Sequence, residues 1–302
     1  MKISFVWQGS SNERTFKHWN DGLREAMRIL ERTHEVEYIE PWDTITGDVL
    51  LYWEAPCTAR SETGVHYNRI RENRDIPRAL LFAGGPIEWD TTVGFDMYFV
   101  ESAINEQEME ALHLPWRRAF GVNDRVLKVE KKAPKIHQAF FQATFAGWKR
   151  HELFAEAMGK EGVLAGRLQE HDRQGYDTAK AHGVTIFDEL SMEDISHELN
   201  RSVCVINTSS YWGGGQRTTL EALACNCPVI VMDDSPKNRE YVEESGCGIV
   251  VPPSVEAIYK AWREVQTWDN KKRAKGRKYI ESKWTAQHYA DSLQGWITSV
   301  CQ

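Results

Sequence analysis

The chain has 302 residues, a length that favours two domains at about 150 residues each. Its 41% hydrophobic and 27% charged residues exclude a disordered chain, a collagen-like repeat and a coiled coil. The net charge of −7 belongs to the first part of the chain, because residues 1–118 hold 13 Lys/Arg against 20 Asp/Glu and residues 119–302 hold 24 of each. Such an acidic part argues against non-specific binding of nucleic acid, whose phosphates require Lys and Arg.

Apolar runs are short throughout the sequence. None approaches the roughly 18 residues that a membrane helix needs, and the run at the N-terminus is too short for a signal peptide. We therefore expect no integral membrane segment and a cytoplasmic location. The six cysteines form no CxxC pair and the histidines show no ligand spacing, so no metal is implied.

The first part of the chain alternates apolar runs with helical spacing. A helix is predicted from Phe16 to Leu30, after a turn cluster that contains Gly9 and Ser10. Strands are predicted at Lys2–Trp7, Val36–Ile39, Asp48–Trp53, Arg78–Phe82 and Phe95–Val100. This alternation is typical of βαβ units and a parallel sheet.

The second part repeats the pattern. Strands are predicted at Ala139–Phe145, Gly162–Gly166, Val184–Phe187, Val203–Asn207, Pro228–Met232 and Gly248–Val251. Helices are predicted at Lys149–Met158, Met192–Leu199 (capped by Ser191) and Thr218–Cys225. The segment between Leu114 and Pro134 lacks a long periodic pattern and is predicted to join the domains. The expected fold class is α/β, with two Rossmann-like parallel-sheet domains facing a central cleft, where ligands bind beyond the strand ends.

A glycine run, Gly213-Gly214-Gly215, separates a predicted strand from the helix that begins near Thr218. Glycine lets the backbone approach a ligand closely, and a helix start offers free N–H groups to an anion, with Thr218 and Thr219 as further donors. Glu221, one turn into the helix, would repel phosphate but could accept hydrogen bonds from two hydroxyls, as from a ribose. The alternative is an ordinary glycine-rich surface turn.

The segment from Val203 to Val251 resembles the donor domain of GT-B fold glycosyltransferases, in particular the retaining, GT4-like group (glycosyl transferases group 1). The resemblance includes Asn207-Thr208-Ser209, Gly214, the run Thr218 to Cys225, Pro228-Val229-Ile230 and Val250-Val251-Pro252. Gly121-Val122-Asn123 is similar to the family's "GV(N/D)", Lys149 to Leu153 to its "KGxxxL", and Lys283-Trp284-Thr285 to a segment near its C-terminus. In residues 1–118 the likeness is architectural only.

The resemblance implies a domain organisation and a reaction. Residues 1–118 would bind the acceptor, residues 119–285 the nucleotide sugar, and residues 286–302 would form a C-terminal helix that crosses back to the first domain. The reaction would move a sugar from a UDP- or GDP-sugar to a hydroxyl acceptor, with retention of configuration. No metal is implied.

The resemblance also assigns roles to residues. Glu221 would hold the ribose hydroxyls, and Thr218 and Thr219 the diphosphate oxygens. Lys149 would neutralise the diphosphate and stabilise the leaving group. Further contacts to the donor are expected from the backbones of Gly214, Gly215, Gly9 and Ser10, the last two forming an ordinary helix-entry turn in the alternative interpretation.

Two departures from the family's pattern bear on the chemistry. Gly213 stands where the family has the first of two glutamates, and Thr144 stands near the position of a family arginine. Arg150 or Arg217 could supply the second cation instead. If the enzyme inverts, Glu54 or Glu88, each just past a predicted strand, would deprotonate the acceptor; otherwise they are solvated loop carboxylates.

Several interpretations remain open from sequence alone. The acceptor would be a glycan, a lipid-linked glycan or a small molecule, with hydroxymethylated DNA as a further option. The basic run of residues 271–278 is either a solvated helix face or a patch for a polyanionic acceptor or a membrane surface. A sugar-nucleotide epimerase of the same fold and a non-catalytic nucleotide- or glycan-binding module are the alternatives to a transferase.

Overall fold

The computed structural model describes residues 1–7, 20–39, 43–54, 75–82, 94–168, 173–210 and 216–301. They divide into two compact units, one of Met1–Asn123 with Thr285–Gln302 and one of Asp124–Trp284. Each unit contains a six-stranded sheet whose strand pairs are all parallel. The predicted α/β class with two parallel-sheet domains is thereby confirmed.

The sheet of the first unit has the order β2-β1-β3-β4-β5-β6. Its strands are β1 (Lys2–Trp7), β2 (Glu35–Ile39), β3 (Val49–Glu54), β4 (Arg78–Phe82), β5 (Met97–Val100) and β6 (Trp116–Arg118). Helices α1 (Gly22–Leu30) and α2 (Ala103–Ala111) belong to the same unit. Strands β1 and β4 have the bounds that the sequence predicts.

Both faces of this sheet are buried, which explains its continuous apolar strands. Val49 and Leu51 of β3 point to one face and Leu50 and Tyr52 to the other, and all four are at most 1% exposed. Helix α1 covers the first of these faces with three residues spaced at helical intervals: Leu23, Met27 and Leu30.

Helix α1 begins at Gly22, and residues 16–19 of the predicted helix lie outside the described residues. The side chain of Asp21 accepts a hydrogen bond from the backbone N–H of Arg24 at 2.9 Å and so caps the helix at Gly22. Gly22 is required there, because a Cβ would lie 1.8 Å from the carbonyl oxygen of Gly121. The side-chain amide of Asn123 also joins these two segments, because its Nδ2 donates to the carbonyl oxygen of Asn20 at 2.9 Å.

Strand β6 lies inside the segment that the sequence pattern left without an element. Its three residues, Trp-Arg-Arg, carry no apolar run because the strand pairs only with β5 at the edge of the sheet. Arg118 is held there by Glu106 of α2, whose Oε1 accepts from its Nε at 2.6 Å.

The sheet of the second unit has the order β12-β11-β10-β7-β8-β9. Its strands are β7 (Ala139–Gln142), β8 (Gly162–Ala165), β9 (Thr185–Phe187), β10 (Val205–Asn207), β11 (Val229–Met232) and β12 (Gly248–Val251). Its helices are α3 (His151–Met158), α4 (Gln174–Ala181), α5 (Met192–Arg201), α6 (Gln216–Ala224), α7 (Pro236–Ser245), α8 (Val255–Val265), α9 (Asn270–Arg273) and α10 (Lys275–Lys283). Two 3₁₀ turns, Gly147–Lys149 and Gly159–Glu161, flank α3.

The central strands of the second unit, β7, β8, β10 and β11, are buried like those of the first. Phe140, Val205 and Val229 are all 0% exposed. The alternate residues Phe141, Ile206 and Ile230 pack with helices α3 and α8 on one face. The sequence predicted the N-cap of α5, where the Ser191 hydroxyl accepts from the N–H of Asp194 at 3.1 Å.

The last helix, α11 (Ala286–Val300), belongs to the first unit, where it packs against α1 and the sheet. Thr285 caps its start. Trp296 is 2% exposed and meets Phe99 of β5 edge to face, with ring centroids 6.1 Å apart. Among the helices that the structure describes, none is long and apolar enough to cross a membrane.

Candidate functional site

The strand order of the second unit identifies a place for a ligand. Strands β7 and β10 are neighbours, and from them the chain proceeds in opposite directions, through β8 and β9 on one side and through β11 and β12 on the other. In open parallel sheets, ligands bind at this change of direction, beyond the carboxyl ends of the strands. The segments that follow Gln142 of β7 and Asn207 of β10 therefore border the candidate site.

Lys149 lies on the segment that follows β7. It ends the first 3₁₀ turn, directly before α3, and its side chain is half-buried. Burial, and in second place the charge of Arg217, lowers the pKa of Lys149 from 10.5 to about 8. Lys149 and Arg217, two cations from different elements, thus repel each other at the edge of the sheet. A bound diphosphate would relieve this repulsion.

Arg150 is engaged differently from Arg217. Its guanidinium binds both carboxylate oxygens of Asp234, at 2.7 and 2.8 Å, and its Nε donates to the carbonyl oxygen of Thr208 at 2.7 Å. Of the two residues considered as a second cation, the structure therefore brings Arg217 into interaction with Lys149 and pairs Arg150 with a carboxylate.

Glu221 lies in the second turn of α6 and is 1% exposed. Arg217 precedes it by four residues, so the two share one face of the helix. Removing a carboxylate from water is costly unless it finds hydrogen-bond donors. Its burial near the carboxyl end of the sheet fits a carboxylate with a specific task at the site.

The hydroxyls of Thr218 and Thr219 both donate within the protein. Thr218 donates to the carbonyl oxygen of Gln142 at 2.8 Å, which joins the start of α6 to the end of β7. Thr219 donates to Oδ1 of Asn238 at 2.7 Å and accepts from Nδ2 of Asn207 at 3.1 Å. In this structure the two hydroxyls therefore fix α6 against its neighbours. Asn238 carries no signal in the sequence that points to this contact.

His151 follows the two basic residues in the sequence and is buried. Its ring stacks on Phe145, with centroids 4.3 Å apart and planes 26° apart. Burial, and then the charge of Lys149, lowers the pKa of His151 to about 3, against a smaller opposite effect of the Ala143 backbone. The imidazole is therefore neutral at physiological pH, and its location suits packing rather than proton transfer.

The remaining predicted residues are placed only in part. Gly9, Ser10, Glu88, Gly214 and Gly215 lie outside the described residues. Glu54 is the last residue of β3, and its backbone pairs with Phe82. Its side chain lies outside the described part of the structure. Within the described part of the chain, no group of three or more His, Cys, Asp or Glu side chains could hold a metal ion.

The second unit matches a known protein family. The sequence profile of the family described as "Glycosyl transferases group 1" matches residues 125–283, more than half of the chain and nearly all of the second unit. A comparison with curated proteins found no match.

Solved glycosyltransferase structures share the fold at low sequence identity. A sucrose-phosphate synthase from Thermosynechococcus elongatus is 12% identical with a TM-score of 0.76, over 99% of this chain and 98% of that one. HepE from Anabaena in complex with UDP and glucose is 12% identical with a TM-score of 0.73, over 99% and 100%. A glycosyltransferase from Rickettsia africae is 13% identical with a TM-score of 0.72, over 100% and 98%. The fold is therefore that of the GT-B glycosyltransferases.

Proposed function

The chain belongs to the glycosyl transferases group 1 family, and we propose that it transfers a sugar from a UDP-sugar to a hydroxyl acceptor with retention of configuration. The family supports glycosyl transfer as the reaction. HepE, which shares the fold, has been crystallised with UDP and with UDP-glucose, and this supports UDP rather than GDP as the nucleotide.

The observation that carries the proposal is the interaction of Lys149 with Arg217 beside β7, together with the buried Glu221 on the same helix as Arg217. When the bond between the sugar and the diphosphate breaks, negative charge grows on the diphosphate oxygens. A fixed ammonium group stabilises that charge more in the transition state than in the bound donor, which accelerates the reaction. Lys149 has this role in the proposal, with Arg217 as the second cation.

Glu221 would bind the ribose of the nucleotide. An ionised carboxylate only accepts hydrogen bonds and has room for two hydroxyl donors. It lies five residues after Gln216, the first residue of α6, which is about 7.5 Å along a helix axis. That separation is comparable to the distance between the diphosphate and the ribose hydroxyls of a nucleotide, so the anion would meet the start of α6 while the ribose meets Glu221.

The acceptor side of the reaction is a proposal from chemistry alone. With retention, the leaving phosphate accepts the proton of the attacking hydroxyl, so the reaction requires no separate base. With inversion, Glu54 or Glu88 would have to take that proton. The acceptor classes that the family suggests are a glycan, a lipid-linked glycan or a small molecule.

A donor panel tests the proposal. The protein is mixed with UDP- and GDP-sugars, its melting temperature is measured, and slow hydrolysis of each donor is followed by NMR, which also identifies the anomer first released. We expect a UDP-sugar to raise the melting temperature and the first product to keep the donor's configuration. The matched variants are Glu221→Ala, which should abolish the shift, and Glu256→Ala, an exposed glutamate of α8 that should not.

Other results would contradict the proposal in identifiable ways. An isomer formed from the donor without an acceptor would indicate an epimerase. Nucleotide binding without any turnover, with or without candidate acceptors, would indicate a binding module. If no nucleotide raises the melting temperature and Glu221→Ala has no effect, the proposed donor site is wrong.

A further inference from the structure

Arg150 has a backbone conformation that few residues with a side chain adopt. Its φ and ψ are 52° and 48°, in the left-handed region. This reversal separates the 3₁₀ turn that ends at Lys149 from helix α3. The segment that this stretch resembles has glycine at the same position, where the conformation requires no compensation.

The side chain of Arg150 supplies the compensation here. The bidentate pair with Asp234 ties the reversal to the segment after β11, and the bond from Nε to the carbonyl oxygen of Thr208 ties it to the segment after β10. A planar guanidinium that uses three of its donors in this way has a defined orientation. Three loops at the carboxyl edge of the sheet are thus joined at one side chain.

The segment after β10 also donates hydrogen bonds to the backbone of the turn. The hydroxyl of Thr208 lies 2.7 Å from the carbonyl oxygen of Lys149 and 3.0 Å from that of Arg150. The N–H of Ser210 donates to the carbonyl oxygen of Trp148 at 2.9 Å. The carbonyl groups of Trp148, Lys149 and Arg150 therefore all lie within hydrogen-bond distance of donors in the segment that follows β10, the last two sharing the single Thr208 hydroxyl.

We propose that Arg150 is a positioning residue: fixed by Asp234 and by the carbonyl group of Thr208, it holds the turn that places the Lys149 ammonium. Its effect on the donor diphosphate follows from the proposed function, whereas the placement of Lys149 does not depend on it. Arg150 itself would not bind the diphosphate, because its charge and its donors are already matched by Asp234 and Thr208. This differs from the sequence-based expectation that Arg150 could act as the second cation on the donor.

Titration of Lys149 in the ligand-free protein tests the placement. The reactivity of its ammonium group with an anhydride reagent is measured against pH by mass spectrometry, in the original protein and in Arg150→Gly and Asp234→Ala. Arg150→Gly removes the bonds to Asp234 and Thr208 without adding backbone strain, so any shift in this variant comes from the loss of those bonds. If the pair holds the turn, both variants expose Lys149 to water, and its pKa rises in both toward the ordinary value of 10.5.

A purely electrostatic effect gives a different result. Loss of the Arg150 charge alone would raise the pKa of Lys149, whereas loss of the Asp234 charge alone would lower it. Opposite shifts, or no shift in either variant, would overturn the proposal. Arg217 and His151 face Lys149 in every variant and are unchanged. The control is Arg239→Ala, which breaks an exposed ion pair with Glu243 in α7. It should leave the pKa of Lys149 unchanged.

Binding of UDP tests the consequence for the donor. A positioning role predicts that Arg150→Gly, Asp234→Ala and the double variant lose affinity for UDP by the same factor, about tenfold. Each of them breaks the same ion pair and so releases the same turn. A direct contact of Arg150 with the diphosphate predicts instead a large loss in Arg150→Gly, with little loss or a gain in Asp234→Ala, and would overturn the proposal. Should either variant fail to fold, Arg150→Lys and Asp234→Asn replace them.

The proposed function and the positioning role of Arg150 can be contradicted independently of each other. If the original protein binds no UDP but the pKa of Lys149 rises in both variants, the proposed function is wrong and the positioning role of Arg150 stands. If UDP binds but the two variants differ in the direction of the Lys149 shift, the proposed function stands and the positioning role is wrong.

Discussion

At the scale of single residues, the surroundings of Lys149 decide the pH range in which it carries a charge. Burial and the neighbouring Arg217 lower its pKa to about 8. A group whose pKa is lowered in this way loses its proton earlier as the pH rises. In the ligand-free protein, Lys149 is therefore largely neutral above pH 8. An anion that binds the ammonium form must then be accompanied by uptake of a proton from solution.

We predict that the affinity for UDP falls by up to about tenfold per pH unit above pH 8, because each unit lowers the charged fraction of Lys149 by that factor. The diphosphate itself is fully ionised over this range, and His151, with a pKa of about 3, stays neutral. Calorimetric titration of UDP between pH 7.5 and pH 9, below the range in which the uracil ring ionises, measures the effect.

Lys149→Arg is the control for this titration, since a guanidinium keeps its charge throughout the range. Between pH 7.5 and pH 9, below the range in which the uracil ring loses its own proton, the variant should bind UDP with a nearly constant affinity. A decline of the same steepness in the variant would assign the pH dependence to another group.

The sequence pointed to Glu221 as a carboxylate one turn into a helix that follows a glycine run, and to Lys149 through its resemblance to a segment of a known family. It could not identify the groups that hold them. Asp234 is 84 positions from Arg150, and Asn238 is 19 positions from Thr219. Such pairs form only when the order of the strands brings their loops together, and that order is not visible in the spacing of residues along the chain.

At the scale of elements, helix α3 and strand β7 meet through aromatic rings. His151 at the first position of α3 lies against Phe141 and Phe145, with ring centroids 5.2 and 4.3 Å away. Folding keeps this imidazole neutral down to a pKa of about 3, whereas in the unfolded chain it takes a proton near pH 6.5. Below that pH the unfolded state binds more protons, so the stability of the unit falls as the pH falls from 6.5 toward 3.

We predict that the second unit loses about 2 kcal/mol of its free energy of unfolding between pH 6.5 and pH 5 through His151. His151→Phe should remove that part of the acid sensitivity, because the replacement ring has no proton to gain. Urea denaturation at several pH values measures the difference between the two proteins.

The matched control is His197→Phe on α5, a histidine whose side chain is 53% exposed. It removes a histidine that contacts Glu130 and Arg201 at the surface, and so tests whether loss of any histidine changes the acid sensitivity. An identical pH dependence in the original protein and in His151→Phe would mean that His151 is not buried in neutral form.

Element boundaries were predictable where a local signal fixes them. The Ser191 cap of α5 and the bounds of β12 follow from the sequence. Helix α6 was predicted to end at Cys225 but ends at Ala224, because Asn226 turns the chain with a φ of 55°. The short edge strand β6 was missed, since a strand with one neighbour needs no apolar run.

At the scale of the whole molecule, the chain forms two units, and the first contains both its beginning and its end. Apolar periodicity was sufficient to predict two parallel sheets, but it gives no strand order. It is the order in the second unit, with β7 beside β10, that brings residues from the 140s, the 200s and the 230s to one edge.

We predict that Trp296→Ala lowers the free energy of unfolding of the first unit by about 3–5 kcal/mol, because it removes a buried indole from the core that α11 forms with β5. Thr298→Ala, at an exposed position of the same helix, is the control and should cost little. Chemical denaturation followed by circular dichroism measures both. Equal stability of the two variants would show that α11 does not pack on the sheet of the first unit.

The central claim concerns one carboxylate and one sugar of the nucleotide. If Glu221 binds the ribose hydroxyls, replacing it by glutamine exchanges charge-assisted hydrogen bonds for neutral ones, a loss of about 1.4 kcal/mol or tenfold in affinity. That loss should disappear for a nucleotide without those hydroxyls.

The most direct test is therefore a calorimetric comparison of UDP and 2′,3′-dideoxy-UDP on the original protein and on Glu221→Gln. The proposed site predicts about tenfold weaker binding of UDP to the variant and an unchanged affinity for the dideoxy nucleotide. An equal loss for both nucleotides, or no loss for either, would contradict the assignment of Glu221 to the ribose.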